Sequence, residues 1–140
     1  MDNKKYLHSE ITNTILQAFY KVYNTLGIGF GEKAYQNAML VEMKRLGLQS
    51  ETEKKLPIYY EGEKIDEIQI GILVNEKVLL LLTTQAEPAE NEIRKLYKYL
   101  QSSIIEVGVI VNFGNEPHHH RRFCGNEKKK LPKADFLDLE

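Results

Sequence analysis

Residues 71–83 read GILVNEKVLLLLT, two apolar runs separated by the polar residues 75–77. Runs of Ile, Leu and Val that flank a short polar turn are typical of a β-hairpin. The second run, residues 78–82, is VLLLL and shows no alternation of apolar and polar residues. A strand without alternation is buried on both faces, so we expect it near the centre of a sheet that helices cover on both sides.

Two amphipathic helices are predicted ahead of the hairpin. Apolar residues recur at helical spacing in the first, and Ser9 or Thr12 is a suitable N-terminal cap. Three glycines in residues 27–31 then interrupt the helical pattern. The second helix is expected to run from about Glu32 to a stop at Gly47. Its apolar positions are Ala34, Tyr35, Ala38, Met39, Val41, Met43 and Leu46.

The remaining segments predict strands and one more helix. A strand is expected at residues 56–60, and a second, marked by isoleucines, runs over residues 65–74 into the hairpin. A third helix follows Pro88, and strands are expected at residues 107–111 and 119–124. The order is helix, helix, three strands, helix, two strands. It predicts an α/β (α+β) domain with a central mixed sheet of about five strands flanked by three helices.

The size and composition of the chain predict one folded domain. With 140 residues it is long enough for one core and too short for two ordinary domains. We divide it into an N-terminal extension at 1–8, the domain at 9–125, and a polar, lysine-rich tail at 126–140. A formal charge of −1 provides no global field that would drive the chain onto nucleic acid or an anionic membrane.

The pattern of apolar residues and the cysteine count indicate the compartment. No apolar run approaches the roughly 20 residues that a membrane-spanning helix needs, so a membrane is not an expected partner. No apolar segment typical of a signal peptide follows Met1. The single cysteine, Cys124, excludes an intramolecular disulfide and fits a reducing interior. A cytoplasmic location is therefore the prediction.

Several separated motifs resemble one known family. Residues 26–35, LGIGFGEKAY, are similar to the signature of the GxxExxY proteins, with Gly29, Glu32 and Tyr35 at the three named letters. The resemblance covers about residues 9–124. It continues through LPIYYEG at 56–62, the hairpin, KYL at 98–100, and VIVNFG at 109–114, which is similar to the family's LLINFG segment.

The resemblance implies a domain of the PD-(D/E)XK nuclease superfamily. In that chemistry carboxylates hold Mg²⁺, the metal activates a water molecule, and a lysine orients or deprotonates the nucleophile. Glu32 occupies the helical acidic position, whereas the hairpin positions for Asp, Glu and Lys fall on Gly71, Leu81 and Thr83. The position of a typical glutamine on the third helix falls on Lys95, and the tyrosine that follows is Tyr99.

This carry-over predicts a nuclease-like scaffold without its catalyst. We expect no catalytic residues, no bound metal and no cofactor, and a role in binding another copy of the chain, another protein or nucleic acid. Glu32 then serves as an acidic residue in a first helical turn, where it complements the helix dipole. Tyr35 is expected in the core, with its hydroxyl bonded inside the former cleft.

Two alternatives stay open from the sequence. The first is a metal-dependent nuclease, using Mg²⁺, with a rearranged site built from Glu32, Glu67 or Glu87, and Lys95. The second is a nucleic-acid-binding protein that contacts phosphates through its basic C-terminal segment. The cations of that segment are Arg121, Arg122, Lys128, Lys129 and Lys130.

Overall fold

The computed structural model describes residues 7–69, 71–85, 90–114 and 116–129. The elements in chain order are α1 (Ser9–Leu26), α2 (Glu32–Arg45), β1 (Ser50–Glu51), β2 (Lys55–Tyr60), β3 (Glu63–Gln69), β4 (Ile72–Val74), β5 (Val78–Thr83), α3 (Glu90–Gln101), β6 (Val107–Asn112) and β7 (His118–Phe123). A short 3₁₀ turn, Asn126–Lys128, follows β7.

The main sheet has five strands in the order β1-β4-β5-β6-β7. The central pair β5 and β6 is parallel, with Val78 opposite Val107, and the other pairs are antiparallel. Side chains of α1 and α2 pack on one face of the sheet, and side chains of α3 pack on the other. The predicted mixed sheet of about five strands with three flanking helices is confirmed.

The hairpin predicted from residues 71–83 is formed by β4 and β5. Asn75 and Glu76 both have positive φ angles, of 51° and 58°, and the Lys77 N–H donates to the Val74 carbonyl at 3.0 Å. Such a turn matches the right-handed twist of its two strands. All of β4, and β5 except for Leu82, are buried, so the central position predicted from the unbroken VLLLL run is confirmed.

The single strand predicted over residues 65–74 is wrong. Its first half, β3, pairs with β2 in a separate two-stranded sheet, and its second half, β4, belongs to the main sheet. The reason is burial: β3 reads EKIDEIQ and is largely exposed, whereas β4 reads ILV and is fully buried. Four charged side chains cannot lie between two layers of helices without a high desolvation penalty. The outer place beside β4 is taken by β1, which the sequence did not predict.

The helix boundaries agree with the sequence better than the caps do. α1 ends at Leu26, α2 begins at Glu32, and Gly47 adopts a positive φ of 90° after α2, as predicted. A side-chain cap by Ser9 or Thr12 is wrong, because the Thr12 hydroxyl instead donates to the Ser9 carbonyl at 3.1 Å and the capping residue is His8.

Two further details concern α2 and the predicted start of α3. Ala34 and Val41, predicted among the apolar positions of this amphipathic helix, are exposed; Val41 keeps 54% of its surface in solvent. Pro88 lies outside the described residues. Within the described parts of the chain, no helix is both long and apolar enough to cross a membrane.

Candidate functional site

A cleft of about 590 Å³ opens where β4 begins and β5 ends. The start of α2 and one face of α3 form its walls. Six of the positions singled out by the sequence line this cleft: Glu32, Gly71, Leu81, Thr83, Lys95 and Tyr99. The other lining residues are Gln36, Thr52, Gln69, Ile72, Leu82, Gln85 and Glu92.

The floor of the cleft is packed hydrocarbon. Gly71 lies two residues before Leu73, and Leu73 and Leu81 belong to the apolar cluster under α3, so these positions share one face of the sheet. A Cβ atom added to Gly71 would overlap the Leu80 carbonyl oxygen and lie 2.9 Å from Cδ2 of Leu81. Only 8% of Leu81 is exposed. The space beside Gly71 is therefore occupied by backbone and by a leucine side chain.

Thr83 has a local structural role at the end of β5. It is 4% exposed, and its hydroxyl oxygen accepts a hydrogen bond from the Gln85 N–H at 3.3 Å. Its carbonyl accepts from the Phe113 N–H at 2.8 Å. These bonds, together with that from Asn112 Nδ2 to the Gln85 carbonyl at 2.9 Å, hold the chain as it leaves the sheet.

The hairpin residues do not fit a magnesium ion. Mg²⁺ requires oxygen ligands in a nearly ideal octahedron and gives up its waters reluctantly. Gly71 and Leu81 supply no side-chain oxygen, and the single hydroxyl, that of Thr83, is buried and bonded. Among the described residues, no three His, Cys, Asp or Glu side chains are grouped closely enough to hold a metal ion.

The rim of the cleft is polar. Glu92, Lys95 and Tyr99 follow one another at spacings of three and four residues on α3, which places them on one face of that helix. Lys95 Nζ lies 5.9 Å from the centre of the Tyr99 ring. Glu92 and Gln36 were not predicted from the sequence, although Gln36 lies one helical turn after Glu32. Both could have been predicted from helical spacing, because Gln36 lies four residues after Glu32 and Glu92 lies three residues before Lys95.

Tyr35 does not line the cleft but supports the loop before α2. The side chain is fully buried, and its ring stacks on Phe113 with centroids 4.2 Å apart and an interplanar angle of 11°. Its hydroxyl donates to the Gly27 carbonyl at 2.6 Å and accepts from the Phe30 N–H at 3.3 Å. Tyr35 therefore connects the glycine-rich loop to the end of β6.

The described C-terminal cations contact backbone carbonyls. Arg121 Nη2 donates to the Leu7 carbonyl at 2.9 Å, and Arg122 Nη1 donates to the Arg121 carbonyl at 2.8 Å. Lys129 Nζ donates to the carbonyls of Ser103 and Ile105 at 2.7 and 2.8 Å. Burial lowers the pKa of the Lys129 ammonium to about 8. The side chain of Lys128 and all of Lys130 lie outside the described part of the chain.

Of the residues proposed for a rearranged catalytic site, only Glu32 and Lys95 line the cleft. This statement covers the described residues; Glu87 lies outside them. Glu67 is on the exposed strand β3, where its Oε2 atom is 3.3 Å from Lys64 Nζ in an ion pair.

Comparison with known proteins identifies the class to which this chain belongs. The sequence profile of the PD-(D/E)XK nuclease superfamily matches residues 9–123. The chain belongs to that superfamily. No curated protein matches it in sequence.

A solved structure shows the same fold. The crystal structure of SSO0001 is similar with a TM-score of 0.51 and 16% sequence identity, over 96% of this chain and 65% of that one. The chain thus spans less than two thirds of the length of that protein. At this identity the likeness concerns the fold alone.

Proposed function

We propose that this protein is a catalytically inactive PD-(D/E)XK domain of the GxxExxY type that acts as a binding module. The observation that carries the proposal is the contact between Gly71 and Leu81, at two positions where the resemblance expects metal-binding carboxylates. A glycine and a leucine at these positions offer no carboxylate to a divalent ion in the cleft that they line. The proposal includes no cofactor and a cytoplasmic location.

The energetics of burial support this proposal. Carboxylates held close together without a cation repel each other and are costly to desolvate. A glycine and a leucine at the same positions carry neither penalty, and burial of Leu81 adds apolar area to the cluster beneath α3. A chain that is not required to hold a metal is therefore stabilised by these residues.

The cleft that remains suits recognition better than hydrolysis. Its rim presents three glutamines, Thr52 and Tyr99, which can both donate and accept hydrogen bonds. Most residues that line the cleft are polar, so it suits a ligand that offers many hydrogen-bonding groups. In this role Glu32 and Lys95 are contact residues at the entrance.

A nuclease assay tests the proposal. Purified full-length protein is incubated with single- and double-stranded DNA and RNA in Mg²⁺ and then in Mn²⁺, beside Glu32→Ala and Lys95→Ala variants prepared in the same way. We expect no difference between wild type and variants, and none above a buffer control. Metal-dependent cleavage by the wild type that is lost in both variants would establish a rearranged active site and overturn the proposal.

Metal binding gives an independent measurement. A ligand that binds only the folded state raises the apparent stability in proportion to the logarithm of its concentration. We expect Mg²⁺ to leave the melting temperature of the protein at the value seen in NaCl of equal ionic strength. A concentration-dependent rise that Glu32→Ala abolishes would contradict the proposal.

A further inference from the structure

The outward side of α2 carries a basic stripe with an apolar centre. Successive helical residues are rotated by about 100°, and Tyr35, Met39 and Met43 mark the buried side of α2. The opposite side is exposed along the whole helix. We call it the α2 outer stripe, and it consists of Lys33, Asn37, Val41, Lys44 and Arg45.

The charged residues of the stripe are all cations, and the acidic residues on the two elements beside the groove are Glu32 and half-buried Glu42 of α2 and exposed Glu51 of β1. Lys33, Lys44 and Arg45 are exposed, and within the described residues none of them is engaged in an ion pair. The acidic residue of the first turn, Glu32, points instead towards the cleft, which it lines. The three cations span about 18 Å along the helix axis. Such a surface is complementary to an acidic partner.

An apolar groove of about 460 Å³ adjoins the stripe. It runs between the C-terminal half of α2 and the edge strand β1. Leu40 and Leu48 supply its apolar walls, and Lys44 lies at its border with the stripe. Val41, one residue from Leu40, leaves 54% of its surface exposed. The groove shares only Thr52 with the cleft described above.

The sheet edge beside the groove indicates that its occupant is an extended chain. Among the described residues β1 pairs only with β4, so its outer edge offers unpaired backbone groups. An extended peptide beside β1 can pair with these groups.

We propose that the α2 outer stripe and its groove bind an extended acidic segment of another protein, with apolar side chains that enter the groove. Nucleic acid fits this surface less well, because three cations surround exposed Val41 and leucine walls rather than a continuous phosphate track. The inference concerns a surface other than the cleft, so it does not depend on whether the cleft is catalytic.

Fluorescence anisotropy with a labelled peptide tests the inference. The probe is a decapeptide that alternates Asp or Glu with Leu or Phe, and the control probe has Lys in place of each acidic residue. Full-length protein is expected to bind the acidic probe and not the basic one. The double change Lys44→Glu with Arg45→Glu should weaken binding by about tenfold or more, and Val41→Asp by about fivefold.

Matched variants separate this surface from general effects. Lys98→Glu reverses an exposed charge in the last turn of α3, and Ile65→Asp alters an apolar residue of β3 that is 61% exposed. Both should change the affinity by less than about twofold. Circular dichroism and urea midpoints confirm that each variant is folded before its affinity is measured.

Several outcomes would overturn the inference. One is absence of binding to wild type, and another is equal loss of affinity in Lys98→Glu and in the Lys44/Arg45 variant. A third is displacement of the peptide by a DNA or RNA oligonucleotide of the same charge at equal concentration. Binding that appears only after Asp135, Asp138 and Glu140 are replaced by Ala would show that the chain's own tail is the occupant.

Discussion

The surroundings of Tyr35 are hydrogen-bonded, whereas those of Gly71 are packed with a leucine side chain and backbone. Around Tyr35 a buried hydroxyl has both a donor and an acceptor partner, and its ring stacks on Phe113. Around Gly71 the space is taken by the Leu80 backbone and the Leu81 side chain. The comparison teaches that this fold buries a polar side chain where hydrogen bonds are available and hydrocarbon where they are not.

Removing the Tyr35 side chain should have the largest effect. Tyr35→Ala is expected to lower the free energy of unfolding by about 4 kcal/mol, because it opens a cavity in a fully buried aromatic contact. Tyr35→Phe keeps the ring and should lose roughly 1 to 2 kcal/mol, since the Gly27 carbonyl and Phe30 N–H lose their partner. Urea denaturation of both variants gives these values.

Tyr60, which is 67% exposed, provides the control for Tyr35. Tyr60→Ala should change stability by less than about 0.5 kcal/mol. A Tyr35→Phe variant as stable as wild type would mean that the hydroxyl bonds do not hold the glycine-rich loop.

A Cβ atom at Gly71 should have the next largest effect. Gly71→Ala is expected to lose about 2 to 3 kcal/mol, because the methyl group would overlap the Leu80 carbonyl oxygen. The same change in a Leu81→Ala background should keep most of this loss, since the backbone conflict remains. Gly31→Ala is the comparison variant, with no atom within 4 Å of the added carbon and an expected loss of about 0.5 to 1 kcal/mol, because Gly31 is the N-cap of α2 and alanine is a poorer cap. Equal stability of the two variants would contradict the packing described here.

Lys129 extends the comparison of Tyr35 with Gly71 to a charged group. Its ammonium group is largely buried and donates to two backbone carbonyls. Its folded-state pKa of about 8 lies below the value for an unfolded chain, so the unfolded state binds the proton more tightly. The free energy of unfolding contributed by this group therefore rises as the pH increases from about 8 to about 10.5. Urea midpoints of wild type and Lys129→Met at pH 7 and pH 9.5 measure this, and the difference should shift in favour of wild type at the higher pH. If the difference between the two proteins does not change with pH, or shifts in favour of the variant, the pKa of Lys129 is not lowered in the folded state.

Glu32→Ala should have the smallest effect. Its carboxylate is exposed at the first turn of α2, so its loss removes a helix-dipole interaction of about 0.5 kcal/mol. Thermal unfolding at low and high salt measures the change, which should diminish as salt is added. A loss of stability several times larger that persists in high salt would indicate that Glu32 has a buried partner. Glu32 would then resemble the hydrogen-bonded Tyr35 rather than an exposed side chain.

Much of the fold was readable because hydrophobic periodicity reports burial. The unbroken apolar runs of β5 and β6 and the glycines between α1 and α2 predicted the centre of the sheet and the first two helices. The change of sheet between β3 and β4 was not predicted. Isoleucines at 65, 68, 70 and 72 continue the alternation of a strand, and period alone does not tell which sheet a strand joins.

The candidate site was predictable only in part. Resemblance identified Glu32, Gly71, Leu81, Thr83, Lys95 and Tyr99, which line one cleft. Glu92 and Gln36 escaped because no motif marks them, and Val41 was placed among the apolar positions of α2 although it faces solvent. A helix that is apolar on more than one side, as α2 is, carries no unambiguous inward face in its sequence.

The order of residues was enough to specify the superfamily and the layered architecture, since each depends on side-chain type and local spacing. Tertiary structure alone decided that β2 and β3 leave the main sheet and that Leu81 occupies the space beside Gly71. It also decided that Lys129 bonds to the carbonyls of Ser103 and Ile105, in the segment between α3 and β6. These outcomes depend on close contacts between segments distant in the chain, and such contacts are settled by volume, solvation and hydrogen bonding when the layers pack together.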